Sequence, residues 1–248
     1  AWEGAFRVTA IDGSNNTVTF KNRNSGNRLK ITPRQLAGGS VTILRDVLIK
    51  TDSDGAGLTL AASLAGLERI GLIGPGSGSA ILTAQSGDYP YALRITGATV
   101  GLCDWGSGLV NWRGDVYAPG LVMGNITVGY GILNHAGRMW AYSAKISTAA
   151  VFGYFGGVGS SNYFSYLDVV GGRGAAIFLI SGAGYYADGA RMICPDSAGL
   201  YTRSGANGHA AEIWSWCAGG NAAAFNQSKY RLAGARLFCS GANAFISS

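Results

Sequence analysis

The chain has 248 residues, enough to bury a full core without a disulfide or metal staple, and its 40 glycines accompany 48% hydrophobic but only 13% charged residues. So much apolar content with so little charge excludes a disordered chain, and five prolines without a third-residue glycine period exclude collagen. The net charge of +6 sits at the front: eight of the nineteen Lys/Arg fall in residues 1–50, against Glu3, Asp12 and Asp46, and the remainder is nearly neutral.

In chain order, Phe6, Val8, Val18 and Phe20 flank the turn-rich Asp12-Gly13-Ser14-Asn15-Asn16, which predicts a hairpin, with a third strand near Leu29–Ile31. Arg23, Arg28, Lys30 and Arg34 read as the solvated face of this unit. No basic stripe interleaved with aromatics continues beyond it, so no nucleic-acid partner is expected. Val41, Ile43, Val47 and Ile49 resume strand character, which closes a small β-domain over residues 1–50. A connector over 51–69 follows, in which the apolar spacing of Leu58–Leu67 behind Asp52 and Asp54 predicts a short helix. No run of 18 or more apolar residues occurs, so no membrane-spanning helix is expected.

After Leu67 the pattern changes to apolar runs of three to five residues cut by glycine, serine and asparagine, such as Ile70–Ile73, Ala92–Ile95 and Leu121–Met123. These are too short for helices and suit a solenoid. An aromatic column reads Tyr117, Trp140, Tyr163, Tyr185, His209 and Tyr230, at steps of 23, 23, 22, 24 and 21. A second reads Phe152, Phe178, Tyr201, Phe225 and Phe245. A third aligns Lys145, Arg191, Glu212 and Arg236, each after an alanine, and Cys194, Cys217 and Cys239 recur at 23 and 22. One coil of a parallel β-helix needs a comparable length, and stacked coils set like residues above like. The expected fold is therefore all-β: a right-handed parallel β-helix over residues 70–248, in seven or eight coils, behind the small N-terminal β-domain.

This combination resembles the shaft or receptor-binding region of bacteriophage tail spike and tail fibre proteins, in architecture rather than in any diagnostic motif. The resemblance implies a virion component outside the cell and a homotrimer of side-by-side solenoids. It also implies contact with other tail or baseplate proteins, and attachment to a host-surface polysaccharide or other receptor. A polysaccharide depolymerase and a purely structural tail protein are its alternatives.

The residues carry two candidate chemistries. Glycoside cleavage needs two carboxyl groups about 5–10 Å apart. Asp168, Asp188 and Glu212, spaced by 20 and 24 residues, are the candidates, with Asp88, Asp104 and Asp115 behind them. Corner and surface roles are the simpler reading of all six. Aromatics provide the binding hypothesis: Trp112, Trp140, Tyr142, Tyr163, Tyr185, Tyr186, Trp214 and Trp216 are expected to meet either a receptor or another subunit. In Tyr185-Tyr186 the two rings must point to opposite faces of a strand, whereas Trp214 and Trp216 share one. His135 and His209 lack ligand partners at useful spacing, and the four cysteines, Cys103 included, form no C-x-x-C. No metal or cofactor is expected, and the cysteines read as buried free thiols.

Overall fold

A computed structural model describes residues 7–12, 17–21, 28–31, 42–45, 48–50, 58–60, 64–73, 76–83, 92–96, 99–100, 105–126, 128–148 and 151–248. Side chains are described for 66–72, 107–124, 126, 128–147 and 151–248. Asp52, Asp54, Asp88, Cys103 and Asp104 lie outside the described residues.

Alternating apolar residues around polar turns give the first three strands, Arg7–Asp12, Thr17–Lys21 and Arg28–Ile31, which form an antiparallel sheet in chain order. From Thr42 onward every described strand pairs in parallel with strands about one coil away, in a right-handed β-helix of three strands per coil.

The first face is a nine-stranded sheet. Its strands are Thr42–Arg45, Leu64–Glu68, Ala92–Thr96, Asp115–Tyr117, Arg138–Tyr142, Ser161–Ser165, Gly184–Asp188, Asn207–Ala211 and Lys229–Ala233. The second and third faces merge in one eighteen-stranded sheet. In the coil that begins at Ser161 they are Asp168–Gly171 and Ala175–Ile180.

Two boundaries differ from the sequence reading. Coiling begins at Thr42, whose strand pairs with Ala65–Glu68, so the connector expected over 51–69 already belongs to the solenoid. Leu58–Leu60 and Leu64–Glu68 are strands, not a helix, and Leu58-Thr59-Leu60 lies beside Ile81-Leu82-Thr83. A short apolar run carries no period that separates helix from strand, and an available parallel neighbour decides between them.

One turn of the coil repeats a bend that favours glycine. Gly120, Ser143, Tyr166, Gly189, Glu212 and Gly234 occupy the corner between the first and second faces, all with φ between 50° and 64°. That left-handed conformation strains a residue with a Cβ, so glycine is common there and its substitutes stay at the exposed bend. Behind each bend a small or apolar residue turns inward: Leu121, Ala144, Leu167, Ala190 and Ile213 are all buried. Full burial of a residue such as Leu167 contributes about 1.5–3 kcal/mol.

The interior also holds a polar column. Asn111 donates from Nδ2 to Asn134 Oδ1 at 2.8 Å, and Asn134 donates from Nδ2 to Asn162 Oδ1 at 2.9 Å. Asn162 Oδ1 also accepts from the Tyr154 hydroxyl at 2.7 Å, and its Nδ2 reaches Gly184 O at 2.9 Å. All three asparagines are fully buried. A buried amide is tolerated because these partners meet its donors and acceptor.

Candidate functional site

The first face points alternate residues outward. Its central outward column runs Tyr117, Trp140, Tyr163, Tyr186, His209, Arg231. The sequence reading placed Tyr185 and Tyr230 here and is off by one at both. Tyr185 belongs to the inward column Met139, Asn162, Tyr185, Gly208, Tyr230 and is only 6% exposed, whereas Tyr186 is 47% exposed. A one-residue slip in a strand exchanges core for solvent. Gly208 leaves room for the Tyr185 ring, since a Cβ there would come within 2.5 Å of it. Burial raises the Tyr185 phenol far above its ordinary range.

The rings stack in pairs along the column. Trp140 and Tyr163 lie 5.2 Å apart at 9°, and Tyr186 and His209 lie 5.3 Å apart at 26°. Tyr142, half-buried, meets Tyr117 edge-on at 5.6 Å, and the Arg138 guanidinium lies 5.6 Å from the Trp140 ring. Polar side chains bracket the rings: Asp115, Arg138, Ser161 and Asn207 on one side, Ser165 and Asp188 on the other. Arg138 and Asp115, in register on adjacent coils, form a two-pronged ion pair that keeps the guanidinium charged.

The third face carries rings in another setting. Its outward column is Val110, Leu133, Phe155, Phe178, Tyr201, Ala224, Ile246. Phe152 was expected in this file but pairs with Tyr130 and Ala175, while Phe225 turns inward. Contact between the rings survives the shift, with Phe152 and Phe178 at 4.7 Å and Phe178 and Tyr201 at 5.0 Å. No charged residue occurs in Tyr130–Asn134, Phe152–Gly156 or Ala175–Ile180. A groove of about 570 Å³ runs along this face, lined by Trp112, Tyr130, His135, Phe155, Val158 and Ile180 among others. Trp112 is half-buried and tilts over His135 at 4.9 Å.

The second face ends in an aromatic and basic patch. Lys145, Asp168, Arg191, Trp214 and Arg236 form one outward column, so Trp214, not Glu212, separates the two arginines. Glu212 sits at the corner instead. Trp216 lies outward beside Trp214, between Ile193 and Phe238, with Ser215 buried between the tryptophans as the alternation requires.

The carboxylate candidates do not stack on each other. Asp168 faces Lys145 and Arg191 across the ladder and accepts two hydrogen bonds from the Arg191 guanidinium, at 2.9 and 2.7 Å. Asp188 lies on the first face opposite Ser165 and Ala211. The coil is 23 residues long here, so spacings of 20 and 24 miss the register.

Cys194, Cys217 and Cys239 do stack, as their recurrence predicts, and all three are free thiols. Cys194 donates to Gly172 O at 2.9 Å, and burial pushes its thiol up to about 11. Among the described residues no group of three or more His, Cys, Asp or Glu is placed to hold a metal ion. The asparagine column is the feature that sequence reading missed. Its signal was the repeated Asn-x-x-Gly at Asn111–Gly114 and Asn134–Gly137, one 23-residue coil apart.

No family model, no curated protein and no solved structure matches the chain significantly. A right-handed parallel β-helix is a scaffold shared by structural fibres and by carbohydrate-active enzymes, so the side chains on its outer faces must carry the functional argument.

Proposed function

We propose that this chain is a receptor-binding and structural solenoid of the bacteriophage tail spike or tail fibre type, with the first face turned to a host-surface glycan. The observation that carries this reading is the outward file Trp140, Tyr163, Tyr186, His209, flanked by hydroxyl, amide, carboxylate and guanidinium groups. Aromatic rings among hydrogen-bonding groups match a sugar, which is apolar on its ring faces and polar on its rim. The third face, uncharged over Tyr130–Asn134, Phe152–Gly156 and Ala175–Ile180, suits contact between copies of the chain, and a homotrimer fits the resemblance.

The reading is non-enzymatic. Its support is that no two of Asp168, Asp188 and Glu212 are paired in register and that Asp168 is committed to Arg191. The test is incubation of the full chain with host cells and with their extracted surface polysaccharide. Binding to both, without new reducing ends or ultraviolet-absorbing unsaturated products, is the expected result. Sustained release of either product overturns the non-enzymatic reading, and failure to bind cells overturns the receptor role.

A further inference from the structure

The aromatic file on the first face is not continuous. Trp140 stacks on Tyr163, and Tyr186 stacks on His209, yet no ring contact joins Tyr163 to Tyr186 although their Cα atoms are paired on adjacent coils. The Tyr163 ring stacks on Trp140 one coil back, while the Tyr186 ring engages His209 one coil forward. The two rings thus lean apart, and the side of each that faces the other is covered by no aromatic neighbour.

The floor and rim of this break differ from the rest of the face. Gly184 lies beside Tyr186 on the outward side, and a Cβ there would meet nothing nearer than Ser160 O at 3.8 Å. Ser161 and Ser165 flank Tyr163, and Asp188 flanks Tyr186. Among the described residues, neither serine hydroxyl nor the Asp188 carboxylate makes a hydrogen bond or ion pair with another side chain. Asp115 and Arg138, by contrast, are consumed by each other. On this face, among the described residues, lysine or arginine appears again only at Lys229 and Arg231, two coils beyond Gly184 and Tyr186, or about 10 Å at ordinary strand spacing.

We infer that this break is a binding notch for one neutral pyranose unit of an extended glycan, seated between Tyr163 and Tyr186 over Gly184. The ring faces receive the C–H face of the sugar. Asp188 accepts hydrogen bonds from two of its hydroxyls, and Ser161 and Ser165 supply the remaining polar contacts. A uronate or sialate is disfavoured, because its carboxylate meets Asp188, and among the described residues the nearest lysine and arginine of this face outside the Asp115–Arg138 pair lie two coils away. The inference rests on the glycan-binding reading above and adds the place and the charge class of the ligand.

The test measures calorimetric affinities of the full chain for neutral gluco-, manno- and galacto-oligosaccharides of four to six units, and for glucuronate- and sialate-containing counterparts. Three variants are compared: Gly184→Val, which fills the notch, Tyr186→Ala and Asp188→Asn. Gly184 is a surface strand position with ordinary φ, so a β-branched residue fits the fold there, and an unchanged circular-dichroism melt verifies it. The expected result is binding of at least one neutral oligosaccharide. Gly184→Val and Tyr186→Ala should weaken it at least tenfold, and Asp188→Asn several-fold. Tighter binding of the acidic set overturns the inference, as does wild-type affinity in Gly184→Val and Tyr186→Ala. Absence of all neutral binding overturns it too. If the chain still attaches to host cells in those cases, the receptor role stands and only the notch falls.

Discussion

The first and third faces of the solenoid share a backbone and a core, and both carry a longitudinal file of rings, yet they present different chemistry. On the first face the rings stand among Asp115, Arg138, Ser161, Ser165, Asp188 and Asn207. On the third, Phe155 and Phe178 stand among aliphatic and glycine neighbours, with no charge in Tyr130–Asn134, Phe152–Gly156 or Ala175–Ile180, and the next strand adds a single exposed cation, Arg203, two residues beyond Tyr201. An aromatic ladder alone therefore assigns nothing, because stacking in register is what repeated coils do to any recurring side chain. The columns beside the ladder decide whether it meets a hydrated ligand or another apolar surface.

Inward and outward positions differ in the room around them on either face, and glycine reports this. At inward Gly131 a Cβ would come within 2.4 Å of Gly153 O and 2.5 Å of Ile146 Cγ2, whereas at outward Gly184 the nearest atom is Ser160 O, at 3.8 Å. Gly131→Ala should cost about 3 kcal/mol or more, or prevent folding, while Gly184→Ala should stay within about 0.5 kcal/mol. Urea melts of the two variants measure the contrast, and equal costs would break it.

The interior column common to both faces gives the next largest effect. Asn134→Ala removes the acceptor for Asn111 and the donor to Asn162, and leaves both neighbours short of a buried partner. A loss of about 2–4 kcal/mol in chemical denaturation is expected, and a loss below about 0.5 kcal/mol would make the column dispensable.

Alkali should weaken the same interior. The buried Cys194 thiol titrates near 11 in the fold against an ordinary 9.0, so the folded chain holds a proton that the unfolded chain releases. The contribution is complete below pH 9 and is lost as pH rises through 11. Tyr185 and Tyr154, both raised by burial, extend the decline. Melting temperature followed from pH 8 to 11 should fall, and Cys194→Ala should flatten the first part of that fall.

The smallest effect belongs to the Asp115–Arg138 pair. It is exposed, so Arg138→Ala should cost little stability at low salt and progressively less in high salt. A larger, salt-independent loss would mean that this pair holds the first face together.

Much of the architecture was legible because a 23-residue coil repeats its demands: a bend with positive φ, a small or apolar residue after it, and rings in file. The register was harder to read. Tyr185 and Tyr186 are adjacent and chemically alike, and only pairing with Asn162 and Tyr163 separates the core ring from the surface ring. Glu212 was drawn into a charge column by the alanine before it, but Arg191 pairs with Trp214, which moves Glu212 to the bend. The first coil was hidden for a different reason. The strand Thr42–Arg45 is as short and as apolar as the antiparallel strands before it, and only its partner makes it parallel. The break between Tyr163 and Tyr186 had no sequence signal, because it depends on which way two rings lean.

The division of labour between the faces is tested most directly by sedimentation equilibrium at micromolar concentration. The three chains compared are the wild type, the double variant Phe155→Glu/Phe178→Glu, and Tyr186→Glu. The account predicts a trimer for the wild type and for Tyr186→Glu, and a folded monomer for the third-face double variant. A monomeric wild type, or a trimer that dissociates through Tyr186→Glu and survives the phenylalanine changes, would contradict it.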